Sequence, residues 1–153
     1  MSSSVPVKIK YLANAGPEHY KVQYSTCGSV GIDLQAWIRK DCIVLSPGER
    51  HPFPAGIALE ITQPGIAGFI FSRSGLGTKQ GLVVSQGVGV IDPDYRGEII
   101  VSLLNNSMDE RTVLRGQRIA QLVFMPWIRA SLEQVSELSP TQRGSGGFGH
   151  TGF

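Results

Sequence analysis

Apolar side chains recur at every second position along much of this chain, and that spacing limits the possible folds more than any other feature. In GIDLQAWI, Ile32, Leu34, Ala36 and Ile38 share one side, with Asp33, Gln35 and Trp37 on the other. GIALEIT sets Ile57, Leu59 and Ile61 against Ala58, Glu60 and Thr62, and VKIKY sets Val7, Ile9 and Tyr11 against two lysines. A period of two belongs to a strand with one covered face. Gly68–Phe71, Leu82–Val84, Ile99–Leu104 and Ile119–Met125 read as further strands. Turn residues punctuate them in SPGER from Ser46, TQPGIAG from Thr62 and NNSMDER from Asn105. Glycine fills 19 of 153 positions, against a usual share of about 7%, and glycine disfavours helices. The expectation is an all-β domain of many short strands: a sandwich, jelly roll or barrel.

Helical signal is sparse. One turn of helix is expected near Gly75–Lys79. In Ser131–Leu138, Leu132, Val135 and Leu138 stand three apart; the segment reads equally as a short helix or, through Leu132–Val135, as a strand. From Pro140 the composition changes to TQRGSGGFGHTGF, which has little to bury and reads as a flexible tail. The expected division is a β domain over residues 1–139 and a tail over 140–153.

Bulk chemistry excludes several function classes. The net charge of +2 is too small for a basic nucleic-acid binder, which needs clustered cations to displace counterions. No apolar run reaches membrane length, and MSSSVPVKIK lacks the apolar stretch of a leader. Cys27 and Cys42 have no metal-site spacing and form no disulfide framework. Neither nucleic acid nor membrane is expected as a partner, and the expected location is cytoplasmic, or nuclear in a eukaryote.

Four stretches could carry chemistry. In GVGVIDPDYRG, Pro93 biases Asp92 toward extended backbone at the end of an apolar strand. Burial at such a position would raise a carboxylate's pKa toward the working range of a general base. The chain then turns through Tyr95 into Glu98–Leu104 as a hairpin, whose inner backbone groups could bond the edge of a small planar ring. In FSRSGLG, Arg73 between two serines suits phosphate, though taken alone the block reads first as an ordinary strand-to-turn junction with a solvated arginine. In RGQRIAQL, Gln121 shares a face with Ile119 and Val123; an inward amide there needs backbone or ligand partners. The tail run GSGGFGHT approaches the phosphate-loop pattern, but His150 stands in the lysine position and no helix can follow. Its glycine amides could still wrap an anion, Arg143 could add a fork, and Phe148 could stack on a planar ligand.

Together these blocks resemble the homotrimeric dUTPases. The similarity runs through SVGIDLQA at Ser29, RSGLG at Arg73, GVIDPDYRGEI at Gly89, GQRIAQL at Gly116 and RGSGGFGHTG at Arg143, in that order. It implies a jelly-roll-like β-barrel or sandwich with at most one short helix, assembled as a homotrimer with three shared active sites. It also implies magnesium-dependent hydrolysis of dUTP to dUMP and pyrophosphate, which limits uracil incorporation into DNA and supplies dUMP for dTMP synthesis. Asp92 would activate the attacking water and contact the sugar 3′-hydroxyl, and Tyr95 would close the space of a 2′-hydroxyl. Gly89, Val90, Ile91 and Ile100 would read uracil. Gln86 stands where bacterial relatives often carry asparagine near the base. Arg73, Ser74, Gly75 and Gln121 would hold phosphates. Arg143, Ser145, Gly149 and Thr151 would close on the substrate from the tail, with Phe148 on the base. Asp33 would reach Mg2+ through water, the ion's direct ligands being phosphate oxygens and water. Asp94 and Arg96 would hold the turn. Two alternatives stay open: a dCTP deaminase of the same fold, which needs a further acid at the base, and a catalytically idle trimer serving as a binding module.

Overall fold

The computed structural model describes residues 4–12 and 20–147. Eleven strands and one helix follow one another along the described chain. The first half holds β1 (Val7–Tyr11), β2 (Ile32–Gln35), β3 (Cys42–Leu45), β4 (Arg50–Pro54), β5 (Ile57–Ile61) and β6 (Ile66–Ser72). After α1 (Ser74–Gln80) come β7 (Leu82–Val84), β8 (Gly89–Ile91), β9 (Ile100–Asn105), β10 (Arg111–Leu114) and β11 (Arg118–Pro126). All pairings are antiparallel, in the orders β2-β11-β6-β8, β4-β9-β7, β1-β5 and β10-β3. Neighbours are mostly distant in sequence, as in a jelly-roll-like sandwich.

The period-two reading holds where it was strongest. Leu34, Ala36 and Ile38 are buried, as are Ile57, Leu59 and Ile61, and they join Phe53, Leu82, Val101, Leu103 and Leu122 in one core. Tyr20 closes one side of it. Its ring stacks on Trp37 at 6.0 Å and meets Tyr11 edge-on at 6.4 Å. Its hydroxyl accepts the Gln35 amide at 3.1 Å, pinning the end of β2. Burial pushes the Tyr20 pKa from 10.0 up to about 12.

Three strands carried no sequence signal. β4 contains Pro52 and Pro54, which cannot donate to a ladder and so read as breakers. Its place at the edge of β4-β9-β7 is where proline is tolerated. β3 and β10 pair only with each other, and Val44 and Leu114 point outward, which blurs the alternation. The expected helical turn is α1. Ser131–Leu138 is neither of the alternatives read for it: it forms no element, with Leu132 and Leu138 exposed. Packed elements end at Pro126, and residues 127–147 carry neither strand nor helix.

Candidate active site

Three of the sequence blocks meet at one end of the four-stranded sheet. Asp33 of β2 lies opposite Gln121 of β11, and Gln121 lies opposite Phe71 of β6, two residues before Arg73. Arg73 donates from Nε to Asp33 Oδ1 at 2.7 Å, and both side chains are largely covered. Gln121 donates from Nε2 to the Ser72 carbonyl at 3.1 Å, so the inward amide takes a backbone partner in this protomer. Ser74 and Gly75 open α1 directly after Arg73. The region thus presents a guanidinium, a hydroxyl and an amide within one strand-to-helix junction, a donor set suited to phosphate oxygens.

A residue that pattern reading missed sits in the same place. Arg118 donates from Nη1 to Asp33 Oδ2 at 3.1 Å, so one carboxylate holds two arginines. Strict alternation from Gln121 puts Arg118 on the opposite face. The β11–β2 register shifts between Arg118 and Ala120, and this bulge re-aims the arginine. It also sends Ile119 into the core beside Ala120, both fully buried, so Ile119 does not share the face of Gln121 as alternation predicts. The doubled basic pattern of RGQR was the available signal. The bulge itself has no sequence mark.

The Asp92 block is built differently, and it is not the hairpin expected from the sequence: β8 pairs with β6 whereas β9 pairs with β4 and β7, so the turn joins strands of two different sheets. Asp92–Tyr95 is a turn closed by the Tyr95 amide on the Asp92 carbonyl at 3.1 Å. Arg96 donates to the carbonyls of Pro93 at 2.7 Å and Tyr95 at 3.0 Å, so it braces the turn as expected. The Tyr95 hydroxyl donates to the Glu98 carbonyl at 2.9 Å, and the phenol ring folds over Gly97, where a Cβ would land on its oxygen. Asp92 and Tyr95 are both exposed. The protomer therefore does not bury the candidate base. Along β8, Gly89 is buried against Ile70, while Val90 and, at the start of β9, Ile100 are exposed.

These two groups do not meet within one chain. β8 runs antiparallel to β6 with Gly89 beside Ile70 and Ile91 beside Gly68, so Asp92 emerges next to Ala67. Arg73 stands six residues further along β6, about 20 Å at the rise of a strand. The tail residues are separate again. Arg143 is exposed and donates from Nε to the Gly146 carbonyl at 2.9 Å, within a local turn that also carries exposed Ser145. Phe148, Gly149 and Thr151 lie outside the described residues.

Such a chain, an antiparallel β sandwich with a phosphate-suited strand end and an acidic turn, has the features of a nucleotide hydrolase. The dUTPase family model matches residues 19–152. A deoxyuridine 5'-triphosphate nucleotidohydrolase of Ectopseudomonas mendocina is 47% identical over 137 residues, covering 90% of both chains. A variant of the dUTPase of Staphylococcus bacteriophage 80alpha, solved with dUpNHpp, superposes with a TM-score of 0.82 at 24% identity, covering 97% of this chain and 99% of that one. A variant of the phage phi11 dUTPase of S. aureus, described as coordinating a structural Mg(II) ion, has a TM-score of 0.74 at 22% identity, covering 88% and 99%. The chain belongs to the dUTPase family.

Proposed function

We propose that this chain hydrolyses dUTP to dUMP and pyrophosphate by water attack on the α-phosphorus, as a homotrimer with three shared active sites. The observation that carries the shared site is the separation along β6: phosphate-binding groups at one end, Asp92 at the other. One protomer cannot bring both to a single nucleotide, whereas a symmetric assembly can, by placing the Asp92 turn of one subunit against the strand end of the next. Exposure of Asp92, Tyr95, Val90 and Ile100 in the protomer fits surfaces that await a neighbour and a substrate.

In this reading Arg73, Ser74, Gly75 and Gln121 hold phosphate oxygens. Asp92 takes a proton from the attacking water at its carboxylate. Tyr95, held by Glu98 and Gly97, walls the sugar where a 2′-hydroxyl would project. Arg143, Ser145 and Thr151 close over the γ-phosphate, and Phe148 and Gly149 cover the base, making residues 140–153 a lid. The donor set suits magnesium held by the substrate. Among the described residues no cluster of three or more metal-ligating side chains occurs. Asp33 already accepts two guanidinium bonds, and its remaining lone pairs suit a water rather than a bare ion. When bound, the ion would neutralise charge developing on the phosphates.

The test is pyrophosphate release from dUTP set against UTP, dTTP and dCTP. Turnover confined to dUTP supports the reading. Ammonia release from dCTP would replace it with the deaminase, and inertness toward all four would leave a binding module.

A further inference from the structure

α1 opens on Ser74 and Gly75, and little inside the helix holds it in place. It has seven residues, too few for a helix to persist alone. Leu76 is its one buried residue, and Arg73 at its start makes no side-chain cap bond. Gly81 closes the far end in the left-handed conformation, at φ 70°. That end needs support from elsewhere in the fold.

The loop between β9 and β10 supplies it. The Asn106 amide donates to the Gly81 carbonyl at 2.8 Å. Arg111, the first residue of β10, donates from Nε to the Gln80 carbonyl at 2.8 Å and shares that proton with Ser107 Oγ at 3.1 Å. The Gln80 carbonyl is one of those that a helix end leaves without an internal partner, and a cation suits it. A Cβ on Gly81 would stand 2.9 Å from Ser107 Cβ, so loop and helix end meet at close range. The loop itself is rooted in the core through Asn105, which is fully buried. Asn105 Nδ2 donates to the carbonyls of Leu45 at 3.0 Å and Asp109 at 2.8 Å. Its Oδ1 accepts the Ser107 amide at 3.0 Å and the Ser107 hydroxyl at 2.7 Å. Both donors and both acceptor positions of that side chain are in use, so the loop is a rigid seat.

We propose that Arg111 is a positioning residue for the triphosphate: by holding the Gln80 end of α1 against this loop, it sets the aim of Ser74 and Gly75 at the other end. This rests on the proposed reaction, in which those two residues hold phosphates. From Ser74 to Gln80 the helix is a rod of about 9 Å, so a shift at one end is felt at the other. The side-chain bonds of Arg111 go to Gln80, Ser107 and Asp109, and it therefore acts through the helix. Without its bond to Gln80 the helix end is free to shift. The phosphate donors then lose their aim, while groups that face the nucleoside keep theirs.

The experiment measures, on the full chain, the affinities for dUpNHpp and for deoxyuridine by calorimetry, with KM and kcat for dUTP. Arg111→Met keeps an apolar stem and loses the donor. It should weaken dUpNHpp binding about 3- to 10-fold and leave deoxyuridine binding unchanged. KM for dUTP should rise by a similar factor, with kcat nearly constant. Arg111→Lys, which can still donate to the Gln80 carbonyl, should restore most of the loss. Asp109→Asn disturbs only the exposed ion pair with Arg111 and should match the parent. Parent-like dUpNHpp affinity in Arg111→Met would overturn the proposal. So would equal losses for both ligands, or a lysine variant no better than the methionine one. A parent chain that binds dUpNHpp but does not turn over dUTP is a separate outcome: it removes the reaction, while the affinities still decide the role of Arg111.

Discussion

The two ends of β6 are organised by opposite means. At the Arg73 end, residues from three strands bond one another across long stretches of sequence: Asp33 to Arg73, Asp33 to Arg118, and Gln121 to Ser72. At the Asp92 end, the bonds that close the turn each span three residues or fewer, namely Tyr95 to Asp92, Arg96 to Pro93 and Tyr95 to Glu98, while the Glu98 carboxylate behind the turn accepts the distant Gly56 amide. One region is preassembled by tertiary pairing and partly covered. The other is a rigid local turn whose functional groups stay open. In the proposed reading, a chain finishes its phosphate cradle alone and leaves its proton acceptor for delivery to another copy.

That contrast can be broken most sharply at the Asp92 turn. Asp92→Asn keeps the turn but removes the proton acceptor, and turnover should fall about 10²- to 10⁴-fold. Nucleotide binding, followed by calorimetry with a non-hydrolysable analogue, should persist. Near-normal turnover would show that the exposed acid is ornamental.

Mixing subunits sharpens the contrast further. Asp92→Asn and Arg73→Ala chains should each be inactive alone. Co-refolded in equal amounts, they should regain about a quarter of the parent's sites if the two ends come from different subunits of a closed symmetric assembly. A mixture as inactive as its components would mean that each chain supplies its own site.

At the preassembled end, Arg118→Ala should raise KM for dUTP about 2- to 10-fold, because the lost bond is charged but half exposed. The Asp92 turn should be unaffected, which an unchanged kcat for dUTP would register.

Away from the site, an effect on stability rather than turnover is expected in the frame that holds β2. The pKa of Tyr20 in the folded chain, about 12, lies above its ordinary 10.0. Its contribution is therefore complete below about pH 10 and is lost as pH rises toward 12, because the unfolded chain releases the proton first. The loss is on the order of 2–3 kcal/mol. Denaturant melts across that window should show a shallower alkaline decline for Tyr20→Phe.

The sequence revealed much of this design where one physical signal acted alone. Leu34, Ala36 and Ile38 alternate because one face of their segment is covered, and the covered face is visible in the residues themselves. Asp92 and Tyr95 were legible because a proline-bearing turn organises them locally. Arg118 was not, since a one-residue bulge set by pairing with β2 decides its direction. Nor could the distance from Asp92 to Arg73 be read. It depends on the register between β6 and β8, which is fixed by packing of Gly89 on Ile70 and Gly68 on Ile91 rather than by any motif.

Gly97 has a consequence for mutational mapping. Its backbone is not among those with positive φ, so an alanine there would be conformationally acceptable. The nearest obstacle is the phenol lying where a methyl group would go. A saturation library at codon 97 should therefore return the defects of a misplaced Tyr95, with ribonucleotides admitted in proportion to how far the ring is pushed. A position with no functional group of its own would score as a sugar-selectivity determinant.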